Sequence, residues 1–533
     1  MQAFIRRAGG LAAAFVLLAG CGTDTQTSAV ATSTARGTLV ENPPLRIASL
    51  SAEALAAELT ASGTSGQQLL QIAGTPKCGV DFHYFHYQTV DPADAAIRDS
   101  GALMIPTGGT GCSGARPIVL YAHGTDTDKA LNIADITDPG NSEGALIATM
   151  FAAQGYIVVA PNYAGYDDST LGYHPYLNAD QQSKDMIDAL AAARSALGKV
   201  IASGTSDNGK LFITGYSQGG HVAMATHRAL QAISPTAVTA SAPMSGPYAL
   251  EAFGDFIMTG HVDLGSTVFT PLLTTSFQKS YGDIYTTASD IYESTYATGI
   301  EGILPSKASL TDLFMTGKLP QLWLFNNTDW TGATPTGIPT LDAQLDVVLQ
   351  PSSDPRFAPG FGALNALTHD ASNLVKDSYR VAYVSDVLQH PDGALLPQPT
   401  FMQAAAPTNT LRIAFKTNDL RNWTPTSPVF LCGGAQDPTV FFPVNTSVMQ
   451  AYWTYVAPVA APQLLTVLDL ESAITGPTDP FALAKGGFAQ AKALTATAAG
   501  GGAAGAQAVT QAYHGGLVPP FCTAAVRGFF SQF

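Results

Sequence analysis

Residues 211–227 read Leu-Phe-Ile-Thr-Gly-Tyr-Ser-Gln-Gly-Gly-His-Val-Ala-Met-Ala-Thr-His. Leu211 to Thr214 is a short apolar run of the kind that fills a buried strand. It stops at Gly215-Tyr216-Ser217-Gln218-Gly219, and an alanine-rich segment with helical spacing follows. Strand, Gly-x-Ser-x-Gly and helix in that order make a nucleophile elbow, a turn so tight that the residues flanking the serine must be small. The turn raises the Ser217 hydroxyl above the sheet and aims it at the positive end of the following helix. In a chain with 51 glycines the pattern has a blander reading, a glycine-rich turn without chemistry. The strand before it and the helix after it favour the nucleophile.

Outward from the elbow the alternation continues. Ile118–Ala122 and Gly155–Pro161 read as buried strands, and Ala145–Gln154 and Gln181–Leu197 as helices. Ala237–Met244 is a further strand after the elbow helix. Helices of this length between strands imply right-handed crossovers and a mostly parallel α/β sheet. Upstream, Ser51–Ile72 has helical spacing, and the runs Val80–Val90 and Ser100–Ile105 suit an antiparallel edge. Residues 46–246 thus form the first part of the core. From 247 to 425 the alternation is lost and helical pattern dominates, at Asp290–Ile300, Leu310–Met315, Leu341–Leu349 and Asn373–Leu388. This stretch is expected to be a large helical cap, its rival being an independent domain. Residues 426–533 complete the core, with strands at Pro428–Cys432 and Leu464–Leu470. Thr495–Ala508, almost pure Ala, Gly and Thr, reads as a flexible loop, and Val526–Phe530 as a short helix on the sheet.

The 533 residues are 46% hydrophobic and 12% charged, enough for a large core and unlike a disordered chain. A net charge of −15 with no run of Lys or Arg excludes nucleic acid as a partner. Residues 1–20 read as a signal peptide, with Arg6 and Arg7 ahead of an apolar Leu11–Ala19. Leu18-Ala19-Gly20-Cys21 resembles the lipobox of bacterial lipoproteins. The resemblance implies lipidation of Cys21 and a membrane anchor at the cell envelope; an ordinary signal peptide with a chance cysteine is the alternative. Residues 21–45 are expected to be a flexible tether. The remaining Cys78, Cys112, Cys432 and Cys522 are an even number in an exported chain, hence two disulfides. None of them lies at the close spacing of a zinc loop.

A serine needs an imidazole to take its proton and a carboxylate to orient that imidazole. With this elbow the chain order is serine, acid, histidine. The last histidine is His514, in His514-Gly515-Gly516 near the C-terminus, and it is the expected base. His221 and His227 lie on the elbow helix, which leads away from the hydroxyl, and His261, His369 and His390 fall in the expected cap. The acid should follow a late strand, as Asp437 does after Pro428–Cys432 and a glycine turn. Asp469 and Asp479 stay open, and Asp419 precedes the strand. The oxyanion needs backbone donors: the N–H of Gln218, and that of Thr125 or Asp126 in the loop after Ile118–Ala122. A carboxylate at Asp126 would oppose an oxyanion unless protonated or turned away. Pairing Cys78 with Cys112 would pin the antiparallel edge, and pairing Cys432 with Cys522 would hold the loops of Asp437 and His514 together.

The turn at His123-Gly124-Thr125, Gly155-Tyr-Ile-Val-Val-Ala-Pro-Asn-Tyr163, Gly215-Tyr-Ser-Gln-Gly-Gly220, Asn422-Trp-Thr-Pro425 and His514-Gly together resemble the secretory lipase family of α/β-hydrolases. These are the yeast lipase A-like enzymes and their bacterial relatives. The resemblance spans roughly residues 78–533, least in the cap. It implies an α/β-hydrolase fold, a small-molecule or lipid ester as substrate, and no metal or other cofactor. The interval from Asp437 to His514 departs from the family by its extra Ala/Gly stretch. A serine peptidase or amidase on the same fold, or an inactive surface binding protein, are the rival readings.

Overall fold

The computed structural model describes residues 35–138, 140–199, 204–321, 323–325, 339–348 and 372–533. The expected signal peptide, Cys21, most of the tether and His369 lie outside the described residues. Among the described residues nine strands form one sheet: β1 Leu45–Leu50, β2 Gly79–Val90, β3 Ala96–Thr107, β4 Gly114–Ala122, β5 Ile157–Pro161, β6 Thr205–Tyr216, β7 Ala240–Met244, β8 Val429–Gly433 and β9 Leu465–Asp469. Their order is β1-β2-β3-β5-β4-β6-β7-β8-β9. The run from β5 to β9 is parallel, and β1, β2 and β3 pair antiparallel at one edge.

The parallel strands are buried on both faces, and alternate residues supply the two cores. Ile118, Leu120, Ile157 and Val159 pack with the helices Ala179–Leu197 and Gln218–Ile233. Val119, Tyr121, Val158 and Phe212 face the other way, toward the helices Ser142–Met150 and Val518–Phe530. Phe212 stacks on Phe530 at 4.6 Å. Each such fully buried side chain stabilises the fold by roughly 1.5–3 kcal/mol.

Between β7 and β8 lies a long helical insertion. Its helices Leu250–Met258, Ser266–Tyr281, Asp377–Gln389 and Thr410–Asn418 share an apolar cluster that includes Leu272, Phe277, Val384 and Phe415. Two fully buried arginines hold it together. Arg412 grips Asp255 through Nε (2.9 Å) and Nη2 (2.7 Å) and Asp386 through Nη1 (2.7 Å). Arg421 bridges Asp392 and Asp419 at 2.6 and 2.7 Å. The insertion also reaches loops at the carboxyl edge of the sheet. Ser306 N–H donates to Thr127 O and Lys129 N–H to Ser306 O, and Leu264 N–H donates to Pro438 O, beside Asp437.

Four expectations change. Thr495–Ala508 is not a loop: it spans parts of the helices Ala482–Ala498 and Gly502–Ala512, broken where Gly500 and Gly501 have φ of 89° and 71°. Alanine is the strongest helix former, so a composition that looks featureless still folds as helix. Asp290–Ile300 holds only short turns, Ala288–Asp290 and Ser294–Ala297, ended by Gly299 at φ 78°. Within the expected tether, residues 37–40 run along β2, with Gly37 N–H on Gln88 O and Val40 N–H on His86 O. The terminal helix starts at Val518, not Val526.

Candidate active site

Ser217 stands between β6 and the helix Gln218–Ile233 at φ 60° and ψ −121°. Side chains rarely adopt that conformation, and it persists only where the surroundings impose it. Here they do. A Cβ at Gly215 or Gly219 would overlap the Ala122 carbonyl oxygen, and one at Gly220 would overlap that of Met244. The Ser217 N–H donates to Met244 O at 3.0 Å, fixing the turn against β7. The small residues of the elbow are therefore required by the approach of β4 and β7.

The structure brings Ser217, His514 and Asp437 into one hydrogen-bonded chain. Ser217 Oγ lies 2.7 Å from His514 Nε2, and His514 Nδ1 lies 2.7 Å from Asp437 Oδ2. Asp437 is 3% exposed, and its other oxygen accepts the N–H groups of Thr439 and Val440 at 2.9 and 3.1 Å. Those two donors leave Oδ2 free to face the imidazole. His514 sits in a single π-helical turn, Tyr513–Leu517, rather than in a loop. Its carbonyl accepts the Tyr216 hydroxyl at 2.6 Å, so the residue before the serine also holds the histidine. Burial, with Asp437 nearby, raises the Tyr216 pKa well above the usual phenol value and keeps it a donor.

The disulfides are Cys78–Cys112 and Cys432–Cys522. The second joins the end of β8, ahead of Asp437, to the helix that follows His514. Replacing Cys432 and Cys522 by alanine is expected to cost about 2–5 kcal/mol of stability. Thermal unfolding of the double variant beside wild type measures it, and an unchanged midpoint would contradict this structural role.

The other acids have different tasks. Asp469 accepts the N–H of Ala435 at 2.9 Å, Asp479 pairs with Lys485 at 2.8 Å, and Asp419 with Arg421. His221 is buried on the Asn418 carbonyl, and His227 lies between the hydroxyls of Ser241 and Ser427. His261 stacks on Phe256 at 3.8 Å. His390 caps no part of the site: its ring nitrogen lies 3.9 Å from Asp386. The Asp126 carboxylate accepts the Asp128 N–H within its own loop at 2.7 Å.

Two supporting residues carry no signal in the sequence. Glu143, at the start of the helix Ser142–Met150, accepts the Gly124 N–H at 3.1 Å on each oxygen and the Tyr121 hydroxyl at 2.6 Å. Burial pushes its pKa up. Because Gly124 N–H is engaged, the next donors along that loop are those of Thr125 and Asp126. His174 is fully buried, which pulls its pKa down to about 3 and keeps the ring neutral. Ala164 O can only accept, so Nδ1 carries the proton (2.8 Å), and Nε2 accepts from the Gln218 side-chain amide at 2.7 Å. The residue after Ser217 is thereby held by a histidine 44 positions upstream. A cavity of about 2040 Å³ opens on Ser217, His514 and Thr125, and Phe269 of the insertion lines it too.

Residues 144–244, which hold the elbow, match the prolyl oligopeptidase family. Along nearly its whole length the chain is similar to the rice cell wall degrading esterase LipA from Xanthomonas oryzae. The identity is 25%, with 94% of this chain and 100% of that chain covered, at a TM-score of 0.63. The fold is that of the α/β-hydrolases. A ligand-bound form of the same esterase superposes with a TM-score of 0.64 at 24% identity, over 94% of this chain and all of that one. Candida antarctica lipase A is more distant, at 12% identity over 82% of this chain and 76% of that chain, with a TM-score of 0.42. No curated protein sequence matches the chain. Within the α/β-hydrolase fold the Ser217 elbow follows the strand that crosses over after β5, and the helical insertion follows the next strand.

Proposed function

We propose that the chain is an exported serine hydrolase of carboxylic esters, with Ser217 as nucleophile, His514 as base and Asp437 as the acid that orients it. The observation that supports this most is the pair of 2.7 Å bonds linking the three residues at an elbow that holds Ser217 at φ 60°. In acylation, Ser217 Oγ bonds to the ester carbonyl carbon while its proton passes to His514 Nε2. The oxyanion is held by the N–H groups of Gln218 and of Thr125 or Asp126. Collapse of the tetrahedral intermediate breaks the carbon–alkoxy bond, and His514 returns the proton to the departing oxygen. Water then repeats the sequence on the acyl-enzyme, with His514 as base, and frees the acid. Asp437 holds the ring in place and stabilises the imidazolium.

The insertion, residues 247–425, acts as the cap: it is tied to the loops beside Thr125 and Asp437 and lends Phe269 to the cavity. Two disulfides favour an oxidising compartment, and a lipid on Cys21 would hold the enzyme at the envelope. No described helix is long and apolar enough to cross a membrane.

The match of residues 144–244 to a peptidase family favours a second reading, amide hydrolysis by the same residues. A panel of p-nitrophenyl esters and aminoacyl p-nitroanilides separates the two. The ester reading expects kcat/KM for the best ester to exceed that for the best anilide by about a hundredfold or more. A preference for the anilides would overturn it.

A further inference from the structure

The cavity at Ser217 does not end at the reacting atoms. Beyond His514 it continues past Gly515 and Gly516 and along the outer side of the helix Val518–Phe530 as far as Gln532. Thirteen helical residues give the trough a length of about 20 Å. Ala524, Ala525 and Gly528 form its floor. One wall is the helix Thr64–Ala73, with Gln68, Leu69 and Ile72, and the other is the helix Ala482–Ala498, with Leu483, Ala491 and Leu494. Leu483 and Leu494 are 92% and 52% exposed, so apolar surface faces the open trough. Side-chain amides, Gln68, Gln71 and Gln490, lie among these apolar groups. Arg527 and Glu58 also line the cavity, and this mixture of apolar, amide and charged groups suits a flexible amphiphilic chain better than a compact apolar group.

Which part of a substrate would lie there follows from proton transfer. Resting on the ester-hydrolase reading above, His514 Nε2 must reach the departing alkoxy oxygen, whereas the carbonyl oxygen faces Gln218 and the Thr125-Asp126 loop. The leaving alcohol therefore departs on the His514 side, where the trough begins. We propose that the trough is the subsite for the alcohol portion of the ester, and that this alcohol is a long-chain amphiphile. The acyl portion then lies on the other side of Ser217, toward the insertion and Phe269.

Gly528 and Gln68 allow a test that leaves the reacting atoms untouched. A Cβ at Gly528 meets nothing within 4 Å, and Gln68 is exposed, so Gly528→Trp and Gln68→Trp should fold while narrowing the trough. The full-length enzyme and both variants are assayed on acetate esters of ethanol, hexanol and dodecanol, and on ethyl esters of acetic, hexanoic and dodecanoic acids. The variants should lose about tenfold or more in kcat/KM on dodecyl acetate and keep wild-type values on ethyl acetate and ethyl dodecanoate. Equal losses on dodecyl acetate and ethyl dodecanoate, or no loss on either, would overturn the assignment while leaving the ester reading intact. Binding of a dansyl-tagged dodecanol to Ser217→Ala, with and without Gln68→Trp, reads the trough without turnover. Affinity should fall about tenfold with the tryptophan. Binding that ignores Gln68→Trp counts against the trough. Gln68-dependent binding by an enzyme that cleaves no ester would instead contradict the ester reading and keep the amphiphile in place.

Discussion

Replacing Ser217 by alanine is expected to lower ester turnover by about four to six orders of magnitude while leaving the fold intact. Alanine is smaller than serine, so the crowding between β4 and β7 that dictates the elbow is not increased. What is lost is the oxygen that lies 2.7 Å from His514 Nε2 and that the proposed mechanism acylates. Some acceleration should survive, since the oxyanion donors and the cavity still bind and polarise the ester. His514→Ala should fall about as far, because the residues act as a unit. Steady-state kinetics on a p-nitrophenyl ester, with circular dichroism as the check on folding, gives the result. A folded Ser217→Ala enzyme retaining a tenth of wild-type activity would remove Ser217 from the mechanism.

Arg412→Met should produce the largest loss of stability. Arg412 is fully buried and neutralises Asp255 and Asp386, while its Nη2 also donates to His390 O at 2.8 Å. Truncating one partner leaves buried carboxylates without a counter-charge, a change that costs about 3–5 kcal/mol. The loss should depend on pH in a definite sense. Burial already raises Asp255 to about 6 and the neighbouring Glu251 to about 8. A carboxyl whose folded pKa exceeds its unfolded one binds its proton more tightly when folded, so stability falls as pH rises between the two values. Without Arg412 the Asp255 carboxyl rises further, and its neutral form relieves part of the damage in acid. Urea unfolding should therefore show a smaller deficit for Arg412→Met near about pH 5 than near about pH 8. A deficit that is flat with pH, or larger in acid, would contradict this account of the buried charges.

The legible parts of the sequence share one property: neighbours along the chain specify them. The elbow is written in Leu211–Gly219, because strand, turn and helix are all local. Asp437 and His514 were reachable because each follows a local signature, a strand with a glycine turn or a histidine with two glycines. The pairing of Cys432 with Cys522 could be reasoned from those two loops. What stayed hidden depends on contacts between distant segments. Nothing around His174 says that its ring will hold the Gln218 amide, and nothing around Glu143 says that it will engage Gly124 N–H. The helix Ser266–Tyr281 contains Pro271 and several threonines, so its local propensity is poor, and packing within the insertion decides its conformation. β1 has an almost wholly exposed pattern and takes its shape from pairing with β2. The trough beyond His514 is of the same kind, since its floor and walls come from residues 64–73, 482–498 and 518–530.

The central claim is that Ser217 is a nucleophile activated by His514. Incubating the native enzyme with a fluorophosphonate and mapping the adduct by peptide mass spectrometry tests it directly, whatever the natural ester. The account predicts one stoichiometric phosphonyl group on the peptide containing Ser217, absent from Ser217→Ala and formed far more slowly in His514→Ala. An unmodified Ser217, or an adduct on another residue that persists in Ser217→Ala, would contradict it.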